Sequence, residues 1–166
     1  SDPANAAWQR DLSVSLNKLG ELAVAQGDLA AAARSFSEGK TIIARLAASD
    51  PANAAWQFDL GISNERLGDL AVAQGKLDEA LVFHTARKAI IARLSASDPA
   101  NAAWQRDLAV SHFKLYQFAK AKGDVAMVEA ELRACFTVLD AMKQRSLHMD
   151  PQMANVYEQL AGMFGS

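Results

Sequence analysis

Three histidines (His84, His112 and His148) and one cysteine, Cys135, are the side chains of this 166-residue chain that could bind a transition metal or attack an electrophile near neutral pH. A zinc centre needs its ligands at short, characteristic spacings, and a nucleophilic cysteine needs a histidine to activate it. Neither pattern is present. Serine and aspartate are plentiful, yet there is no G-x-S-x-G elbow, no P-loop and no glycine-rich phosphate fingerprint. The residues therefore read as a non-enzyme, with no metal and no cofactor expected. Two other residue types recur: Trp8, Trp56 and Trp104, and one turn beyond them Asp11, Asp59 and Asp107. The tryptophans suit a ligand platform or core packing between successive units, and packing is the simpler reading. The aspartates suit a groove lining or a hydrogen-bonded tie between neighbouring units, with Arg45 and Arg93 as partners. The tie is preferred.

Composition narrows the partners. Lys and Arg number 17 against 19 Asp and Glu, a net charge of -2. Binding to nucleic acid needs a cationic face, and a chain without basic excess is not expected to supply one. Hydrophobic residues reach 51 %, but much of that is alanine and no apolar run approaches the ~18 residues of a membrane span. No charged-then-apolar leader opens the sequence, and one cysteine excludes an internal disulfide. A cytoplasmic protein is the expectation.

The elements that would position these residues are marked by punctuation. All four prolines stand in Asp-Pro pairs, at Pro3, Pro51, Pro99 and Pro151, spaced by 48, 48 and 52 residues. SDPANAAWQ begins at Ser1, Ser49 and Ser97, and the first two units agree at 29 of 48 positions. A fixed period of this kind marks a repeat array. Midway between prolines lie Gly27, Gly75 and Gly123. Proline suits the first turn of a helix and glycine the left-handed residue that closes one, so each unit reads as helix, tight turn, helix. In the first arm Trp8, Leu12, Ser15, Leu19 and Leu22 form a stripe of helical spacing, matched by Trp56, Leu60, Ser63, Leu67 and Leu70. In the second arm Leu29, Ala32, Phe36, Gly39, Ile43 and Leu46 share one face. After Asp150-Pro151 a closing helix is expected, with Val156, Tyr157, Leu160 and Phe164 on its inner face. The expected fold is all-α, seven helices, in repeats 1–48, 49–96 and a divergent 97–149, capped by 150–166. Ser1 falls on a repeat boundary, which suggests a piece of a longer array.

The stretch Leu16 to Phe36 resembles the tetratricopeptide repeat: Leu19-Gly20, Ala23, Gly27-Asp28, Ala32 and Phe36. The second unit offers Leu67-Gly68, Ala71, Gly75-Lys76 and Ala80, with His84 in place of the aromatic; the third keeps Leu115, Ala119 and Gly123-Asp124 but has Tyr116 and Leu132. The period of 48 exceeds the family's usual 34, and the extra 14 residues add about two turns to each arm, which keeps both faces in phase. The chain is similar to long-repeat bacterial members of that family. The resemblance implies a right-handed α-solenoid whose first helices line a concave groove. It also implies that Cys135 is a small buried filler and His84 a half-buried core histidine.

Positions that vary among units are free of packing duty, and on the first arms they gather about opposite the tryptophan stripe. The candidate groove residues are Arg10, Asn17, Lys18 and Glu21, then Phe58, Glu65, Arg66 and Asp69, then Arg106, Phe113, Lys114 and Gln117. They would bind a protein or peptide, with Phe58 and Phe113 as apolar anchors and Arg66 and Lys114 pairing a partner's acids. A solvated face laced by Lys18–Glu21 and Arg66–Asp69 pairs is the plainer alternative. Some tetratricopeptide domains clamp a terminal carboxylate with Lys, Asn and Arg. The matching residues here are Asn17 and Glu21, Arg66, Val110 and Lys114, of which Lys114 alone has the required type, so no such clamp is expected. The competing expectation is self-association through open solenoid ends, favoured by Leu12, Leu19 and Leu22 if the first helix is uncovered.

Overall fold

The computed structural model describes residues 3–165; Ser1 and Asp2, the start of the first repeat motif, lie outside them. The described residues form seven helices and no strand: α1 (Pro3–Ala25), α2 (Leu29–Ser49), α3 (Ala54–Ala73), α4 (Leu77–Ser97), α5 (Ala102–Lys122), α6 (Val125–Gln144) and α7 (Pro151–Phe164). They divide into two compact units, one ending at Ile90 and one beginning at Ile91. In the first, α1 packs on α2 and α2 on α3; in the second, α5 packs on α6 and α6 on α7.

The turn glycines adopt the left-handed conformation, with φ of 78° at Gly27, 75° at Gly75 and 71° at Gly123. Asp28 N–H then donates to Ala23 carbonyl at 2.9 Å and Gly27 N–H to Val24 carbonyl at 3.0 Å, so carbonyls left open at the end of α1 are satisfied. The next helix starts at once, because the Asp28 carboxylate accepts from Ala31 N–H at 2.8 Å. Glycine and aspartate together make the tight reversal.

Two of the four prolines open a helix as expected and two do not. Pro3 and Pro151 open α1 and α7, but α3 and α5 begin three residues after Pro51 and Pro99. Asp50 folds the linker first: its carboxylate accepts from Ala52 N–H and its carbonyl from Asn53 N–H. Asn53 then caps α3 by accepting from Trp56 N–H at 3.1 Å, and Asn101 caps α5 through Trp104 N–H at 3.2 Å. An aspartate turn followed by an asparagine cap satisfies the orphan amides that proline alone would leave.

Within the first unit α1 and α2 meet through small residues. Ser13 and Gly20 are buried on α1 and Gly39 on α2, and Ser13 Oγ donates to the Gly39 carbonyl at 2.9 Å. The Phe36 ring, 2 % exposed, lies in the space that a side chain at Gly20 would fill. Around it Ala23, Ala32, Leu67 and Leu70 form the core. The second unit is filled by Ala109, Cys135, Leu139, Met142, Met153, Tyr157 and Leu160. The closing helix α7 therefore buries Tyr157 and Leu160 as expected, with Val156 and Phe164 packed beside them.

The tryptophan stripe is covered on α3 and open on α1. On α3 it is covered, with Ser63, Leu67 and Leu70 buried and Trp56 and Leu60 half-buried. On α1 the same stripe faces solvent, Trp8 being 71 % exposed, and the face turned to α2 is instead Ser13, Leu16, Asn17, Gly20 and Ala23. Trp56 and Trp104 are half-buried and do not join the buried core. A large indole at a helix start reaches the edge of the helix layer, where one side of the ring stays wet.

Candidate functional site: the α1–α3 clefts

Two small open clefts, of about 170 and 200 Å³, lie in the first unit on either side of Glu21. The first is lined by Ser13, Val14, Asn17, Lys18, Glu21, Asp59 and Ile62. The second has an apolar floor of Val24, Phe36, Leu70 and Ala73, with Glu21, Arg66 and Asp69 at its rim. Five of the sequence-predicted groove residues (Asn17, Lys18, Glu21, Arg66 and Asp69) are thus brought together.

Helix geometry explains the gathering. Residues 14, 18 and 21 share one face of α1, distinct from both the stripe at Trp8 and the face against α2. Residues 62, 66 and 69 form the matching face of α3 by the same spacing. α1 touches α3 directly. Asn17 sits at the boundary of two faces, its Nδ2 directed at Ser63 Oγ at 3.4 Å.

Charge pairing in the clefts runs between helices and not along them. Arg66 meets Glu21 at 2.6 Å, in place of the i, i+3 pairs Lys18–Glu21 and Arg66–Asp69. Asp59 is tied to the neighbouring repeat as expected, but its partner is Arg10 at 2.6 Å and not Arg45. The hydrogen bond and the charge of Asp59 hold the Arg10 guanidinium above its ordinary value. Asp69 lies 3.4 Å from the ring of His84, which is 2 % exposed and so wholly buried rather than half-buried. His84 packs over Gly68 as Phe36 packs over Gly20. Glu65 is withdrawn from the groove altogether: it faces the buried Arg87 at 3.3 Å. Arg87 stands where Gly39 does in the first repeat, and that buried cation was not foreseen. Its signal was available, since Asn17 and Gly39 change together to Glu65 and Arg87 across one period.

In the second unit the α5 candidates are mostly occupied. Arg106 is bound to Asp150 at 2.6 Å, and that hydrogen bond, with the Met153 amide, holds the Asp150 carboxyl below its usual range. Phe113 packs against the Cys135 core and tilts on Tyr116 at 5.4 Å, so it is no free anchor. Lys114 is half-buried and Gln117 exposed. His112, another unforeseen polar interior group, pairs with Glu131 at 2.6 Å. Cys135 is buried filler: its Sγ lies 3.5 Å from the Ala109 carbonyl, and burial, reinforced by Glu131, pushes the thiol up to about 12. A thiol so placed is no nucleophile at neutral pH.

A further cleft, lined by Asn5, Ala6, Gln9, Arg45, Leu46, Ser49 and Trp56, opens where α3 begins. Among the described residues no three His, Cys, Asp or Glu side chains are grouped to hold a metal ion, and no helix is long and apolar enough to cross a membrane. Comparison with family models and with curated proteins finds no match.

Proposed function

We propose that this chain is a protein-interaction module of the tetratricopeptide class, its helix pairs wound as a right-handed solenoid, that holds an internal segment or helix of a partner protein in the α1–α3 clefts. The observation that carries this reading is the second cleft: an apolar floor open to solvent, rimmed by the Glu21–Arg66 pair and Asp69. Such a site takes an apolar side chain and fixes its orientation with polar groups around it. Arg10, Glu65, Arg106 and Phe113 are engaged elsewhere, which narrows the site to Asn17, Lys18, Glu21, Arg66 and Asp69, with Phe58 half-buried nearby in sequence. Arg66 is held by Glu21, so a partner's acid must displace an existing pair and adds little affinity. The ligand is bound mainly through apolar side chains, weakly, and needs no free carboxyl end.

The test is selection of a random twelve-residue peptide library on the whole chain. Enriched peptides should carry apolar residues three or four apart, bind equally well when amidated, and lose binding to Val24→Glu and Ala73→Glu. Both substitutions fill the cleft from positions outside the buried core. Binders that ignore both variants, or that require a free carboxylate, would overturn the assignment.

A further inference from the structure

The open face of α1 duplicates the face by which α3 covers α2. Trp8, Leu12, Ser15, Leu19 and Leu22 stand one period before Trp56, Leu60, Ser63, Leu67 and Leu70, identical at all five positions. On α3 the last three are 0, 7 and 5 % exposed; on α1, Leu12 is 50 %, Leu19 56 % and Leu22 54 % exposed. A polar staple accompanies the covered face. Gln57 donates its side-chain amide to the carbonyl of Ala47 near the end of α2, at 3.0 Å. In the second unit Gln105 does the same to the carbonyl of Ser95, also at 3.0 Å. Gln9 occupies the same repeat position, and its amide turns back to Asn5 of its own helix.

We propose that this face docks the second helix of a further helix pair of the same repeat class, joined ahead of α1 as the first repeat is joined ahead of α3. The occupant has α2 chemistry: an Ile-Ile-Ala-Arg-Leu stretch like residues 42–46 and a free carbonyl near its end for Gln9. A second copy of the chain fits less well. Its α2 is already covered by α3, and an α1–α1 pairing offers Gln9 no helix-end carbonyl. Five side chains of one helix also fall short of the about 20–30 residues a side of a stable dimer interface. In repeat proteins, by contrast, each such interface is one nearest-neighbour stabilising contribution and needs no dimer-sized area.

The test appends residues 1–48 ahead of the full chain, which recreates the junction Arg-Leu-Ala-Ala-Ser-Asp-Pro found at residues 45–51. The extended protein should melt on the order of 5 °C higher than the chain alone. In a version retaining Trp8 as its one tryptophan, acrylamide quenching should fall toward that of Trp56 measured the same way. Leu19→Glu with Leu22→Glu, tolerated in the 166-residue chain because both are exposed, should abolish both gains. An extension that leaves melting and quenching unchanged would overturn the proposal. So would sedimentation of the 166-residue chain as a dimer that Leu19→Glu dissociates, which would give the face to a second copy.

Discussion

Replacing Gly20 by alanine isolates the contact on which the first repeat closes. A Cβ at Gly20 would stand 2.3, 2.5 and 2.9 Å from three carbons of the Phe36 ring, where ordinary carbon contacts are ~3.5–4.0 Å. Relief requires the ring or a helix to move by about 1 Å. The ring has little room, because Phe36 is 2 % exposed and enclosed by Ala23, Ala32, Leu67 and Leu70. Overpacking of this kind costs about 3 kcal/mol at the upper end. Alanine returns about 1 kcal/mol through its better helix propensity. The expected net loss for Gly20→Ala is therefore about 2 kcal/mol, read as a lower midpoint in urea unfolding at unchanged slope. Gly162 supplies the control: it is an exposed glycine in α7 with nothing within 4 Å of its Cβ position. Gly162→Ala should stabilise by roughly 0.5–1 kcal/mol. In a Phe36→Leu background the penalty of Gly20→Ala should shrink, a coupling that a double-mutant cycle measures directly. If Gly20→Ala stabilises as much as Gly162→Ala, the ring yields freely and the close-approach argument is wrong.

Gly75→Val should cost 1 kcal/mol or more and Gly75→Asn clearly less, because φ of 75° strains a β-branched side chain while asparagine tolerates it; urea midpoints of the two variants decide. Trp56→Ala should destabilise by about 2 kcal/mol, less than a fully buried indole, and Trp8→Ala by under ~0.5 kcal/mol; equal losses would contradict the exposure difference. The Cys135 thiol is raised from its ordinary value near 9 to about 12 by burial, so folding favours its protonated form. That contribution is fully present below pH ~9 and is lost as pH climbs toward 12, so the stability gap between the wild type and Cys135→Ala should narrow between pH 8 and pH 10.5.

The helix pairs were legible because their signals are local. Gly-Asp at residues 27–28 carries both the left-handed turn residue and the next cap within two positions, so no distant contact is needed to read it. The onset of α3 and α5 was misplaced by three residues for an equally local reason. Proline is the more conspicuous mark, yet Asn53 and Asn101 supply the cap, and an asparagine three residues before each tryptophan was there to be read. The stripe at Trp8 shows where periodicity runs out. Spacing locates an apolar face on a helix but does not say whether a neighbour covers it: of the same five residues, α3 buries three and half-buries two, while all five are exposed on α1.

The candidate site was legible as a set of positions and not as a set of partners. Residue variation across the repeats picks out Asn17, Lys18, Glu21, Arg66 and Asp69, which line two neighbouring clefts, since positions without packing duty share a helix face. Which charges pair depends on how adjacent helices are staggered, and Arg10–Asp59 and Glu21–Arg66 join residues a full repeat apart. Local rules for i, i+3 neighbours favour Lys18–Glu21, but the structure selects a guanidinium reaching across from α3. The same geometry explains why Glu65 was misassigned. Once Gly39 becomes Arg87 in the second repeat, a carboxylate at the position of Asn17 is needed inside the helix pair, because a buried cation without a counter-charge would be strongly destabilising. The variation that looked like freedom for a ligand was, at this position, compensation within the fold. Only residues whose changes lack such a counterpart on the second helix remain as evidence for binding. Lys18, facing a cleft from α1, satisfies that condition; position 21 does not, because Asp69 in the second repeat lies against His84, which stands where the first has Phe36.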